Sequence, residues 1–266
     1  MNSIYNYLEE LREKNPLVYH ITNMVTINDC ANITLAIGGS PLMSFNEEEL
    51  EDILKFSSAL VLNIGTMDNS MMNIAIKAGK IANKLKVPIV LDPVGVGATK
   101  ERVKFVKKLI EMVKFSVIKG NMGEIKTLIG DSAKVKGVDS NEDMKDGKYI
   151  GCKLSKKLGC TIVITGKEDL VCYKDNIYTI KNGHKLMSKV TGTGCMTASL
   201  IGAYLGVTKD SFTAGFLGTL SMGICGEKAV KSLKNNEGTG TLKVKIIDNI
   251  YLLNKNDLEL GDVVFE

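Results

Sequence analysis

Pro88-Ile89-Val90-Leu91-Asp92-Pro93-Val94-Gly95-Val96-Gly97 is a short apolar run that closes on an acid and turns through two glycines. Bounded in this way, such a run reads as a strand buried on both faces. Outward from it, residues 59–64, 116–119 and 161–165 repeat the pattern. The segments between them carry apolar residues at helical spacing: Ile74, Ala78, Ile81, Ala82 and Leu85, then Val103, Val106, Leu109, Ile110 and Val113. Strands alternating with amphipathic helices predict a parallel sheet with crossover helices. Lys77, Lys80 and Lys84, and in the next helix Lys100, Arg102, Lys104, Lys107 and Lys108, fall off the apolar stripes and read as solvated faces.

Beyond Thr165 the pattern changes. Residues 170–173 and 177–180 flank Lys174-Asp175-Asn176, a polar turn suited to a hairpin, so an antiparallel edge follows the parallel core. Helices are predicted over 196–207 and 212–231, both apolar enough to be largely buried, and over about 242–253 after a Gly238-Thr239-Gly240 loop. Residues 1–15 read as a charged amphipathic helix. With no internal repeat and no linker, the expectation is an α/β fold of three layers, α/β/α, in one domain over residues 1–266.

Composition narrows the function. The chain has 266 residues, 34 Lys+Arg against 30 Asp+Glu and a net charge of +4, with 44% hydrophobic residues. That balance lacks the basic stripe of a nucleic-acid-binding protein. The longest apolar stretches fall short of the roughly 18 residues a membrane-spanning helix needs, and the amino terminus lacks the apolar centre of a secretion signal. A cytoplasmic protein is expected, without nucleic-acid or membrane partners. The six cysteines contain no C-x-x-C pair and read as reduced thiols, mostly small core residues.

The chemistry gathers at strand ends. Thr191-Gly192-Thr193-Gly194-Cys195 is a tight turn entering a helix, where unpaired N–H groups and the helix dipole stabilise anionic oxygens. Thr197 stands where a dinucleotide fingerprint needs its third glycine. Glu168 follows Gly166-Lys167 where a common phosphate loop needs a hydroxyl, so both familiar nucleotide signatures are absent. Asp92 closes its strand on the side of a parallel sheet where ligands bind. Lys119-Gly120-Asn121-Met122-Gly123-Glu124 places a cation, an amide and a carboxylate at the next strand end, suited to phosphate oxygens and a hydrated Mg²⁺. The same run has the spacing of a helix capping box between Asn121 and Glu124. Thr165 adds a hydroxyl to the rim. His20, alone after a short apolar strand, reads as structural.

Asn15-Pro16-Leu17-Val18-Tyr19-His20-Ile21-Thr22-Asn23, Pro41-Leu42-Met43-Ser44, Asp92-Pro93-Val94-Gly95, Lys119-Gly120-Asn121 and Val190-Thr191-Gly192-Thr193-Gly194-Cys195 occur in the order and spacing of the hydroxyethylthiazole kinases. Over nearly its whole length the sequence resembles that family. The resemblance implies a ribokinase-like fold and a homotrimer with sites between subunits. It also implies use of ATP and Mg²⁺ to phosphorylate the primary alcohol of hydroxyethylthiazole in thiamine biosynthesis or salvage. It places Met43 and Gly192 at the thiazole, Lys119 and Thr165 at ATP, Asp92 and Glu124 near Mg²⁺ and the phosphates, and Cys195 at the catalytic position. Asn121 and Gly194 join the nucleotide side as parts of the same run and turn.

Two features test the resemblance. The family usually carries arginine where this chain has Lys119, and lysine offers a point charge without the bidentate fork. Most ribokinase-like kinases carry aspartate where this chain and its family have Cys195, and a helix N-terminus is expected to lower that thiol's pKa. A hydroxymethylpyrimidine or pyridoxal kinase, or a nucleotide-gated ligand sensor without turnover, is the alternative reading.

Overall fold

Valine alternates with leucine or isoleucine along the central strands, and the alternation sorts the core into two apolar layers. In this computed structural model, which describes residues 4–66, 68–130 and 140–266, the strands are β1 (Leu17–Ile21), β2 (Ser40–Met43), β3 (Ala59–Asn63), β4 (Ile89–Asp92), β5 (Val117–Asn121), β6 (Thr161–Thr165), β7 (Asp169–Tyr173), β8 (Asn176–Ile180) and β9 (Val263–Phe265). They form one nine-stranded sheet in the order β2-β1-β3-β4-β5-β6-β7-β8-β9. Strands β2 to β6 in that order are parallel, and β7, β8 and β9 are added antiparallel.

The helices are α1 (Tyr7–Lys14), α2 (Ile27–Ile37), α3 (Leu50–Phe56), α4 (Asn69–Leu85), α5 (Lys100–Met112), α6 (Met122–Ile129), α7 (Ser140–Leu158), α8 (Thr193–Leu205), α9 (Ser211–Lys231), α10 (Thr239–Leu252) and α11 (Lys255–Glu259). Val18, Val61, Val90, Val117 and Val163 face a layer built by α1, α2 and α8 to α11. Tyr19, Leu60, Leu62, Leu91, Ile118 and Ile162 face the other, built by α3 to α7. Neighbouring residues of a strand point to opposite faces, so a strand apolar throughout must be covered on both.

Helix α8 is the axis of the first layer, buried without interruption from Cys195 to Leu205. A helix apolar on all sides belongs between other elements, and α9 closes over it. A Cβ on Gly218 of α9 would stand 2.7 Å from the main-chain nitrogen of Ile201.

Several boundaries differ from the sequence expectation. Helix α8 starts three residues before 196, because Gly192 holds a left-handed φ of 88° and turns the chain directly into the helix. Helix α10 begins inside the expected Gly-Thr-Gly loop, with Gly238 as its N-cap. The edge strand β2 was not anticipated; Pro41 within it is tolerated because an edge strand can lack a ladder donor. Nor was β9, three residues long and too short for periodicity. It is held by Phe265, whose ring centroid lies 4.8 Å from that of Tyr178. The hairpin of β7 and β8 lies where expected. All six cysteines are free thiols. Among the described residues no helix is long and apolar enough to cross a membrane.

Candidate active site

Because β1, β3, β4, β5 and β6 run parallel, their carboxyl ends open on one side of the sheet, opposite the start of α8. The crevice between them has a volume of about 340 Å³. Asp92, Lys119, Asn121, Glu124, Thr165, Gly192, Gly194 and Cys195 all line it. Met43 is not among its lining residues; it ends β2 at the sheet edge, opposite His20 in register.

Asp92 and Lys119 form the charged centre. Asp92 is fully buried, Lys119 is 4% exposed, and Nζ lies 3.5 Å from Oδ1. Burial pushes the Asp92 carboxyl above its ordinary range, with the Lys119 ammonium opposing the shift and Glu124 adding to it. Burial alone would lower the Lys119 ammonium, but Asp92 and Glu124 hold it above its ordinary value. Lys119 also leans on the glycine turn, since a Cβ on Gly194 would fall 2.8 Å from Nζ. The turn itself needs Gly192, where a Cβ would fall 2.7 Å from Cγ2 of Thr26. The N-cap of α8, Gly192, makes no side-chain cap bond, and Gly192, Gly194 and Cys195 at the start of the helix line the cleft beside the ammonium.

Asn121 and Glu124 perform the capping role that their spacing suggested. Asn121 Oδ1 accepts from the Glu124 amide at 2.9 Å, and Glu124 Oε2 accepts from the Asn121 amide at 2.8 Å. The other Glu124 oxygen accepts from the Gly95 amide at 2.9 Å, tying the turn after β4 to the start of α6. Thr165 Oγ1 donates to the Gly120 carbonyl at 3.5 Å across neighbouring strand ends.

Two residues that sequence reasoning left without a role hold Cys195. Asn63 Nδ2 donates to Asp92 Oδ2 at 2.9 Å and to Cys195 Sγ at 3.2 Å. Asn23 Nδ2 donates to Asn63 Oδ1 at 3.0 Å and to Cys195 Sγ at 3.3 Å. The amide orientations are set by the main chain, because Asn63 Oδ1 also accepts from the Gly65 amide and Asn23 Oδ1 from those of Val25 and Thr26. Their sequence signal is slight: a polar residue closing an apolar strand, with Asn63 paired in register with Asp92.

The thiol itself corrects an expectation. Cys195 does begin a helix, but burial raises its pKa above the ordinary value and the Asp92 charge raises it further, while Lys119 and Asn63 oppose. Burial therefore favours the thiol over the thiolate. His20 is bonded within the fold and does not line the cleft. Nδ1 lies 3.0 Å from the Val18 carbonyl and Nε2 3.2 Å from Ser199 Oγ, in full burial. Arg102, assigned by sequence to a solvated face, instead turns inward to the cleft loops.

A divalent cation fits this donor set as a hydrated ion. Among the described residues no cluster of three or more His, Cys, Asp or Glu side chains could cage one, and both Glu124 oxygens already accept N–H bonds. Two hard carboxylates beside the glycine turn suit Mg²⁺, which keeps most of its waters and takes substrate phosphates as ligands.

The family described as Hydroxyethylthiazole kinase family matches residues 8–256. A hydroxyethylthiazole kinase from Alkaliphilus oremlandii is 50% identical over 258 residues, covering 97% of this chain and 95% of the relative. One from Clostridium tetani is 45% identical, covering 98% and 97%. The solved structure of a hydroxyethylthiazole kinase protein from Pyrococcus horikoshii superposes with a TM-score of 0.90 at 36% identity, covering 99% of this chain and 98% of that one. A pyridoxal kinase from Staphylococcus aureus, solved with AMP-PCP and pyridoxal, shares the fold at a TM-score of 0.64 and 16% identity, covering 94% and 98%.

Proposed function

The chain belongs to the hydroxyethylthiazole kinase family, and from that premise we infer that it transfers the γ-phosphoryl group of ATP to the primary alcohol of hydroxyethylthiazole, in thiamine biosynthesis or salvage. The observation that carries this reading is the convergence of the Lys119 ammonium, the open N-terminus of α8 and the Cys195 thiol on one cleft. Phosphoryl transfer is carried by positioning and charge stabilisation, and those three groups supply both.

The alcohol oxygen forms a bond to the γ-phosphorus while the bond to the β,γ-bridging oxygen breaks and ADP leaves. Lys119 and the first amides of α8 bear on the transferring oxygens, with Thr165 and Asn121 on the nucleotide side. The alcohol gives up its proton late, to Cys195 Sγ in its thiolate form, which Asn23 and Asn63 hold in place. A hydrated Mg²⁺ reached by Asp92 and Glu124 would add charge neutralisation on the phosphates. Gly192 is assigned to the thiazole: it lines the cleft beside Thr26, whose methyl group a Cβ there would meet at 2.7 Å.

The reading extends to a homotrimer with sites between subunits. Met43 lies on an edge strand outside the cleft-lining residues, where assembly with another copy would bring it to a thiazole. It also treats residues 1–266 as one kinase domain, which the continuous sheet from β2 to β9 supports. ADP release by the purified protein with Mg·ATP and a panel of thiazole, pyrimidine and pyridine alcohols tests the reading. Turnover confined to the thiazole is the expected result. Turnover of a pyrimidine or pyridine alcohol instead, or binding without ADP, would sink it.

A further inference from the structure

Arg102 holds together two of the loops that form the cleft. Its Nη1 donates to the carbonyls of Ile64 at 2.9 Å and Val94 at 3.0 Å, and its Nη2 to the carbonyl of Gly65 at 2.7 Å. It stands in the first turn of α5, with its own amide donating to Thr99 Oγ1 at 3.2 Å. A cation there opposes the helix dipole, so helix stability does not account for the residue. Its planar fork does, because one rigid group presents several donors to carbonyls on two loops.

The bond pattern leads from Arg102 to the reacting groups. Gly65, Thr66 and Val94 line the cleft. The Gly65 amide donates to Asn63 Oδ1 at 2.9 Å, and Asn63 in turn holds Cys195 Sγ. Thr66 Oγ1 accepts from the Met24 amide at 2.9 Å, joining the loop before α2 to the same assembly. A Cβ on Gly65 would stand 2.9 Å from the Asn23 Cβ, so this loop packs directly on the second asparagine. Lys119, Asn121 and Thr165 stand on β5 and β6, which are fixed by their own strand ladder and by the Asn121–Glu124 capping box.

We propose that Arg102 is a positioning residue for the acceptor alcohol, a clamp on the loops at 64–66 and 93–95 that sets the Asn23, Asn63 and Cys195 side of the cleft directly and reaches the nucleotide side only through the Gly95–Glu124 bond. The proposal rests on the phosphotransfer reading for what it calls the acceptor. The clamp itself is measurable without that reading.

Hydrogen exchange of residues 63–66 and 93–96 in the substrate-free protein is the first measurement. Arg102→Ala should speed exchange there by about tenfold or more, with Arg102→Lys between it and the wild type. Unchanged exchange overturns the clamp whatever the protein's activity. Steady-state kinetics follow: Arg102→Ala should raise KM for the thiazole alcohol roughly tenfold or more, since small misplacements are costly, while KM for ATP stays within about twofold. Arg102→Lys should recover part of the loss, and it carries the test if the alanine variant fails to fold. Equal rises in both KM values, or a lower Tm and kcat with neither KM changed, would mark an arginine of purely structural effect and overturn the proposal. A wild type that releases no ADP with the thiazole defeats the phosphotransfer reading alone. Calorimetric Kd values for the alcohol and for ATP then replace the KM values, with weakening confined to the alcohol expected and equal weakening of both overturning the clamp.

Discussion

Lys119 Nζ lies 3.5 Å from Asp92 Oδ1, with the two side chains 5% and 0% exposed. A buried pair at this separation contributes little net stability compared with an apolar substitute, yet breaking it from one side is costly. Lys119→Met should therefore destabilise the fold, by up to about 3–5 kcal/mol where the carboxyl stays ionised. Lys119→Met combined with Asp92→Asn should recover most of that stability and none of the ADP release. Denaturant unfolding beside a turnover assay reads both quantities. A double variant no more stable than Lys119→Met would show that the pair is not the source of the loss.

Two glycines of one turn should separate in their effects. Gly194→Ala presses on the far end of a flexible lysine, so the fold should keep its Tm while KM for ATP rises by about tenfold as the ammonium leaves the start of α8. Gly192→Ala meets both a left-handed φ of 88° and the Thr26 methyl group, and should cost about 1–3 kcal/mol of stability. Thermal denaturation with ATP titrations distinguishes the two. Similar Tm losses in both variants would contradict the assignment.

The parallel core was legible because residues such as Leu60, Val61 and Leu62 are apolar in succession and must be covered on both faces. The strand ends were legible for the same reason, since Asp92, Lys119 and Thr165 interrupt those runs. Asn63 interrupts its run too, but an amide carries no charge to draw notice, and its meaning lies in contacts with Cys195 and Asp92 that are distant in sequence. Arg102 was misread because helical periodicity assigns a face to a Cα. A long side chain in the first helical turn can reach beyond the helix to neighbouring loops. Burial likewise reversed the expected direction of the Cys195 pKa, and burial is a property of the assembled fold.

His20 and Asp169 should place opposite slopes on stability across an overlapping pH window. Burial pushes the His20 imidazole from 6.5 down to about 4, against the opposing Val18 carbonyl. Its folded pKa is depressed, so its contribution is present above about 6.5 and is lost as pH falls toward 4. Burial pushes the Asp169 carboxyl from 3.8 up to about 7, with the Gly166 N–H and Lys119 opposing. Its folded pKa is raised, so its contribution is present below about 3.8 and is lost as pH rises through 7. Each slope alone reaches about 1.4 kcal/mol per pH unit, and where the windows overlap they oppose. Asp169→Asn should leave stability rising with pH there, and His20→Gln should leave it falling. Denaturant titrations from acid to neutral pH read the signs, and two variants with parallel profiles would refute the assignment.

Cys195 should prove helpful to turnover without being indispensable. Its sulfur receives N–H bonds at 3.2 and 3.3 Å from Asn63 and Asn23, which steady a developing thiolate, while burial and Asp92 keep the resting thiol protonated. As proton acceptor it works in the deprotonated form, so the wild-type kcat should rise with pH toward the raised thiol pKa. Cys195→Ala should lose that rise and fall by no more than about a hundredfold, the lower part of the usual range for a general base. Cys195→Asp offers a carboxylate to the same two amides, and should turn over at least as fast with its rise moved to lower pH. The pH profiles of kcat for the three proteins decide the matter. An alanine variant that binds both substrates normally yet has no turnover would make Cys195 essential and the modest role wrong.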